Sequence, residues 1–216
     1  MIKRPICVVP AILAKNKEEF ENKIKLVPDA HTIQIDLMDG KFVDNTTYLP
    51  EDFSLLPLEK EIEYHLMVKD PFGWIEELPN GSRSIFQVHV ETITEYEIED
   101  LIDLINEKNS KLCFALNPDT PVDILKKFPD TNHVLIMTVH PGKSGQKYIK
   151  EVEEKIKKLR KLKPQIDIEI DGGANEKTSL SAIAAGANKI AIASEIFNYP
   201  NPNDRYNYLK NLFNQI

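Results

Sequence analysis

Eight short runs of β-branched and apolar residues, separated by segments of helical period, constrain the fold more than any other feature of this chain. They are ICVV at 6–9, TIQIDLM at 32–38, IEYHLMV at 62–68, SIFQVHV at 84–90, KLCFALN at 111–117, HVLIMTV at 133–139, IDIEID at 166–171 and KIAIA at 189–193. Several are almost continuously apolar, the pattern of strands covered on both faces, as in parallel sheets. Between them, Phe20, Ile24 and Val27, then Ile98, Leu101, Ile102 and Ile105, then Ile149, Val152, Ile156 and Leu159 are spaced three and four apart. Each set makes one apolar stripe that a helix can lay against a sheet. Helix ends agree: Asn16 stands three before Glu19, Asn175 precedes Glu176, Gly186 closes the helix of Leu180 and Ile183, and a last helix is expected over 206–213. Eight strands, each followed by a helix, in 216 residues predict an α/β fold, a TIM (β/α)8 barrel forming one domain over 1–216. A doubly wound sheet would more often have roughly five to seven strands.

Composition narrows the function classes. The formal charge is -7, from 27 Lys and Arg against 34 Asp and Glu, with the signs interspersed, so neither a nucleic-acid footprint nor an acidic tail is present. No apolar run approaches the roughly 18 residues of a membrane span. Lys3 and Arg4 before an apolar stretch superficially resemble a signal peptide, but Pro10 interrupts the stretch, which reads better as a buried strand over 6–9. Cys7 and Cys113 each lie inside an apolar run, far from C-x-x-C spacing, which disfavours a disulfide framework or structural zinc and favours a reducing, cytoplasmic compartment. An acidic protein attracts an anionic ligand only through local donors. A phosphate site here must be built from backbone amides.

In such a barrel the reactive residues come from the C-terminal ends of the strands and the loops after them. Those ends carry Asp36, Met38, Asp39 and Gly40; His65 and Met67; His89 and Glu91; Asn117; Met137 and His140; Asp171, Gly172 and Gly173; and Ser194. Asp36 and Asp171 are the sharpest, because a carboxylate embedded in an apolar strand is costly unless paired, hydrogen-bonded or bound to metal. Neither strand offers a basic neighbour, and His65 converges on the same mouth, so carboxylates plus imidazole form a plausible divalent-metal constellation. The segment HPGKSGQKYI after the sixth strand, expected to open a helix, could hold an anion on its amides and helix N-terminus together with Gly172, Gly173 and Ser194. The glycines serve either close ligand approach or turns. His89 and Glu91 show no partner in sequence, and His31 and His133 read as surface or packing residues.

The segments IDLMDGKFV, YHLMV, FQVHVE, LNPDTP, IMTVHPGKSGQ, IDGG and SEIF, in that order over nearly the whole chain, resemble the ribulose-phosphate 3-epimerase family. PAIL at 10–13 resembles that family's PSIL, and Met38, Met67 and Met137, the only internal methionines, stand where the family places one after strands two, three and six. The resemblance implies a cytoplasmic isomerase of the pentose phosphate pathway that epimerises C3 of a ketopentose 5-phosphate, D-ribulose 5-phosphate to D-xylulose 5-phosphate. It implies a two-base mechanism through an enediolate, with Asp36 and Asp171 as acid and base. These two and His65 would be ligands to a divalent ion, Zn, Fe(II), Mn or Mg. Gly142, Lys143, Ser144, Gly145, Gly172, Gly173, Ala193 and Ser194 would surround the phosphate with His65 also near the substrate, and the three methionines would line the pocket. The partner is then a small phosphorylated sugar, with no nucleic acid or membrane, and the family's habit implies a homo-oligomer.

Departures from the family pattern bear on the same site. Gln34 stands where the family has a histidine ligand, and an amide oxygen is a poorer donor to zinc or iron(II). Ala11 replaces the serine of PSIL, the family's G-F-G-G reads Gly142, Lys143, Ser144, Gly145, its G-S reads Ala193, Ser194, and His140 stands in place of an asparagine or acid. Lys143 either adds a charge to the phosphate site or points to solvent. The alternatives are an epimerase of another phosphorylated ketose, such as a ketohexose 6-phosphate, and a catalytically silent phosphosugar-binding barrel; retention of both aspartates weighs against the latter.

Overall fold

In the computed structural model, which describes residues 4–51, 53–128, 131–143 and 145–215, all eight expected strands form and close on themselves. The strands are β1 (Cys7–Ile12), β2 (Thr32–Met38), β3 (Glu61–Met67), β4 (Ser84–His89), β5 (Lys111–Leu116), β6 (His133–Met137), β7 (Asp167–Asp171) and β8 (Lys189–Ile192). Each pairs in parallel with its sequence neighbours, and β1 pairs β8 to complete the barrel. β1 continues through Pro10 to Ile12 rather than stopping at Val9. Its ladder to β2 registers only from Ala11, and Pro10 pairs instead with β8, opposite Ile192.

Seven α-helices surround the barrel among the described residues: α1 (Lys17–Lys25), α2 (Pro71–Glu77), α3 (Ile98–Glu107), α4 (Val152–Leu162), α5 (Glu176–Ala185), α6 (Ser194–Phe197) and α7 (Pro202–Asn214). The sequence caps hold: the Asn16 side chain accepts from Glu19 N, and Asn175 from Thr178 N. The expected helix after every strand does not form. β2 and β5 are followed by 3-10 turns, Phe53–Leu55 and Val122–Lys127, in connections punctuated by Pro50 and Pro57 and by Pro118 and Pro121, each of which lacks the amide donor that a helix interior needs. The last helix starts four residues before the expected 206, at Pro202, whose fixed φ suits the first turn.

Alternation within each strand sorts side chains into two compartments. Ile33, Ile35 and Leu37 of β2, with Tyr64, Phe86 and Phe114, point outward into the layer under the helices, together with Phe20, Ile156 and Phe213. The inward set is strongly polar: Gln34 and Asp36, Glu63 and His65, Gln87 and His89, His133, Glu169 and Lys189 are all buried. The interior therefore holds two polar clusters, one at the floor and one at the mouth where the strands end.

Candidate functional site

The mouth cluster is built by register. β2 and β3 pair with Asp36 opposite His65 and Met38 opposite Met67, while β6 and β7 pair with Met137 opposite Asp171. His65 Nδ1 lies 3.1 Å from Asp36 Oδ1 and 3.2 Å from Asp171 Oδ2. Gln34 Nε2 donates to the same oxygens at 2.7 and 2.9 Å and stands 3.4 Å from His65 Nδ1, so one amide nitrogen sits amid three donor atoms. Its Oε1 is buried without a partner. Burial alone would lower the pKa of His65, but hydrogen bonds to Asp171 and Asp36 outweigh it and push it up to about 9, so this imidazole is protonated at neutral pH.

Asp36, His65 and Asp171 offer ligand atoms that all lie within 4.8 Å of one another. Two carboxylate oxygens and an imidazole nitrogen suit a borderline divalent ion. The place between them is already filled by positive partial charge from the Gln34 amide, and a half-turn of that amide exchanges its N–H donors for the unpartnered Oε1. The donor set, the bridging amide and the orphaned oxygen together fit a cation.

Above the carboxylates a cleft opens. Among its lining residues are Asp36, Asp171, Met38, Met67, Met137, Gly142, Lys143, Gly145, Gly172, Gly173, Ala193 and Ser194. Every residue expected at the site thus borders one space, with three exceptions. Gln34 and His65 are fully buried and meet the cleft only through the aspartates, and Ser144 lies outside the described residues. Pro141 and Gln146, inside the segment expected to hold an anion, also line the cleft, as do Leu13, Val139, Ala174 and Ala191, whose apolar or small side chains carry no chemical signature by which to find them.

The far end of the cleft departs from expectation in its backbone. The loop after β6 opens no helix, since α4 begins only at Val152; instead Gln146 Nε2 ties the loop to the carbonyls of His140 and Lys143, and Asn45 Nδ2 donates to the carbonyl of Gly142. Two glycines face protein as closely as cleft. A Cβ on Gly172 would stand 2.3 Å from Val139 Cγ2, and one on Gly173 would stand 2.6 Å from Tyr148 N, so close chain approach alone excludes side chains there. Lys143 is exposed at the rim.

The floor cluster decides between the two readings of His133 in favour of packing. It is buried, with Nε2 2.8 Å from Glu169 Oε2, and Gln87 Nε2 donates to the same oxygen at 2.9 Å. Lys189 Nζ forms an ion pair with Glu63 and lies 4.0 Å from Glu169. Burial and the charge of Glu169 push Glu63 upward against the pull of Lys189, and burial pulls His133 down to about 4, aided by Lys189.

Comparison with known proteins places this geometry. The model of the ribulose-phosphate 3 epimerase family matches residues 7–197. The chain is 36% identical to the ribulose-phosphate 3-epimerase of Synechocystis over 205 residues, covering 91% of this chain and 89% of that one. Similar values hold for Bacillus subtilis, 36% over 89% and 92%, and Schizosaccharomyces pombe, 32% over 94% and 92%. Among solved structures, a KGPDC of Streptococcus mutans in complex with D-R5P superposes with a TM-score of 0.72 at 13% identity, over 99% of both chains. A 3-hexulose-6-phosphate synthase of Salmonella typhimurium gives 0.70 at 13% identity, over 97% of this chain and 99% of that one. At such identities these two speak for the fold alone.

Proposed function

The chain belongs to the ribulose-phosphate 3-epimerase family, and on that premise we propose that it interconverts D-ribulose 5-phosphate and D-xylulose 5-phosphate by inverting C3. The observation that carries this reading is the pair Asp36 and Asp171, which come from β2 and β7, line one cleft, and are held by one amide nitrogen at 2.7 and 2.9 Å. With C3 of the sugar between them, one carboxylate takes the proton from one face and the other returns a proton to the opposite face, through an enediolate. Gln34 and His65 hold the two carboxylates in place from below. Met38, Met67 and Met137, each at most 3% exposed, give the cleft an apolar side that keeps bulk water from the carbon acid. The loop of Gly142 and Gly145, with the backbone at Gly172, Gly173 and Ser194, receives the phosphate, and Lys143 stands at the rim to add charge.

Asp36, His65 and Asp171 would hold a divalent cation, with Gln34 able to turn its free Oε1 toward the same place. Such an ion supplies positive charge against the oxygens of the enediolate. Cys7 and Cys113 are free thiols, in keeping with a cytoplasmic, reducing setting. The test is metal analysis of the purified protein together with incubation of D-ribulose 5-phosphate in D2O. Deuterium at C3 of both epimers is expected; a C3 proton that never exchanges removes the reading.

A further inference from the structure

His65 has two ring nitrogens with different neighbours, and only Nδ1 faces the carboxylates. Its Nε2 lies 3.0 Å from Nε2 of His89 on β4, a residue the proposed reaction does not use. Two imidazole nitrogens at that distance share one hydrogen, so one must donate and the other accept. Which does which is decided one residue further on. His89 Nδ1 lies 3.2 Å from Glu91 Oε2, while Glu91 Oε1 accepts from the Asn117 backbone N–H at 2.8 Å and from the Thr120 hydroxyl at 2.5 Å. Burial would raise the pKa of Glu91, but hydrogen bonds from His89 and Thr120 outweigh it and hold the group below the usual carboxylate range. An ionised Glu91 takes a hydrogen from His89 Nδ1. His89 is fully buried and beside the Phe42 ring, 4.9 Å between centroids, and a neutral imidazole has a single hydrogen to place. With that hydrogen on Nδ1, His89 Nε2 is an acceptor, and His65 Nε2 must carry the hydrogen between them.

We propose that Glu91, acting through His89, is a positioning residue that fixes a hydrogen on His65 Nε2 and thereby offers Nδ1 as the imidazole donor to a cation between Asp36 and Asp171. The proposal rests on the reading of that trio as a cation site. A ligating imidazole needs one nitrogen bare and the other anchored, and outer partners of this kind set both the tautomer and the ring orientation. The chain of contacts reaches from the mouth cluster to the start of the loop after β5, where Asn117 and Thr120 clamp Glu91.

Long-range 1H–15N correlation of the histidine rings reads the tautomer directly in the metal-free protein. His89 is expected neutral with its hydrogen on Nδ1; a hydrogen on Nε2 overturns the proposal without reference to any metal. Glu91→Ala should move that hydrogen to Nε2 and weaken Zn2+ binding about tenfold or more, with circular dichroism reporting the fold. His89→Gln keeps an acceptor facing His65 Nε2 and should hold Zn2+ affinity within about threefold, whereas His89→Leu should lose about tenfold. Equal affinities for these two His89 variants overturn the proposal even where Glu91→Ala does not fold. A wild-type protein that binds no divalent cation removes the reading of the mouth as a cation site, and the His89 tautomer then decides the orienting role by itself.

Discussion

The floor and the mouth of the barrel are made from matching parts, two of them on shared strands. β3 carries Glu63 below His65, β7 carries Glu169 below Asp171, and each level holds two carboxylates, an imidazole and a side-chain amide donating to a carboxylate. They differ in one residue. At the floor Lys189 enters from β8 and pairs with Glu63, whereas among the described residues no lysine or arginine pairs with Asp36 or Asp171. The two imidazoles record the consequence. His133, buried and sharing its surroundings with a lysine, is held down to about 4, and His65, equally buried but facing two carboxylates without a lysine, is pushed up to about 9. A covalently supplied cation makes the floor a closed ionic knot. At the mouth the compensating charge is a proton, which can be exchanged for something else.

The comparison breaks most visibly at the aspartates. On the proposed reaction, Asp36→Asn and Asp171→Asn should each lower epimerisation by about 10^3-fold while circular dichroism still reports a folded barrel. Turnover near wild type in either variant would show that the two-carboxylate assignment is wrong. Next comes Lys189→Met, which strands two buried glutamates and should cost about 3–5 kcal/mol in urea unfolding, most of it restored by adding Glu63→Met. A cost below about 1 kcal/mol would mean that the floor is not an ionic knot.

Smaller effects sharpen the contrast. A cation must displace the His65 proton, so affinity for Zn2+ should rise by about tenfold per pH unit up to about pH 9, with proton release seen by calorimetry in two buffers. The sign for stability is opposite. The folded pKa of His65 exceeds its ordinary 6.5, so its contribution to the metal-free fold is complete below 6.5 and is lost as pH rises through about 9. Smallest is Gln34→His, expected to tighten Zn2+ binding by about tenfold because imidazole is the better donor; unchanged affinity in a titration would put position 34 outside the ligand set.

The mouth was legible in sequence because its residues are chemically loud and fall at strand ends: Asp36, His65 and Asp171 were readable from period and burial cost alone. The floor was not. Glu63, Gln87, Glu169 and Lys189 sit at the same period two as their mouth counterparts, but they lie on four separate strands that only barrel closure brings together. Closure is a long-range fact that no single run of residues contains. His133, read as a surface or packing residue, is buried, and its partner Glu169 lies 36 residues away, beyond what a local run of sequence can show. Gly172 and Gly173 stood at even odds between ligand and turn, and the contacts with Val139 and Tyr148 add a third reason, packing between adjacent loops.

The two mouth aspartates are the same chemical group, bound to one amide nitrogen from β2 and β7. On the proposed reaction, what serves as base in one direction serves as acid in the other, with little to distinguish the two climbs. Such a catalyst behaves as a two-way door: the traffic through it is set by supply on one side and removal on the other, and any control over direction must reside in the reactions on either side of it.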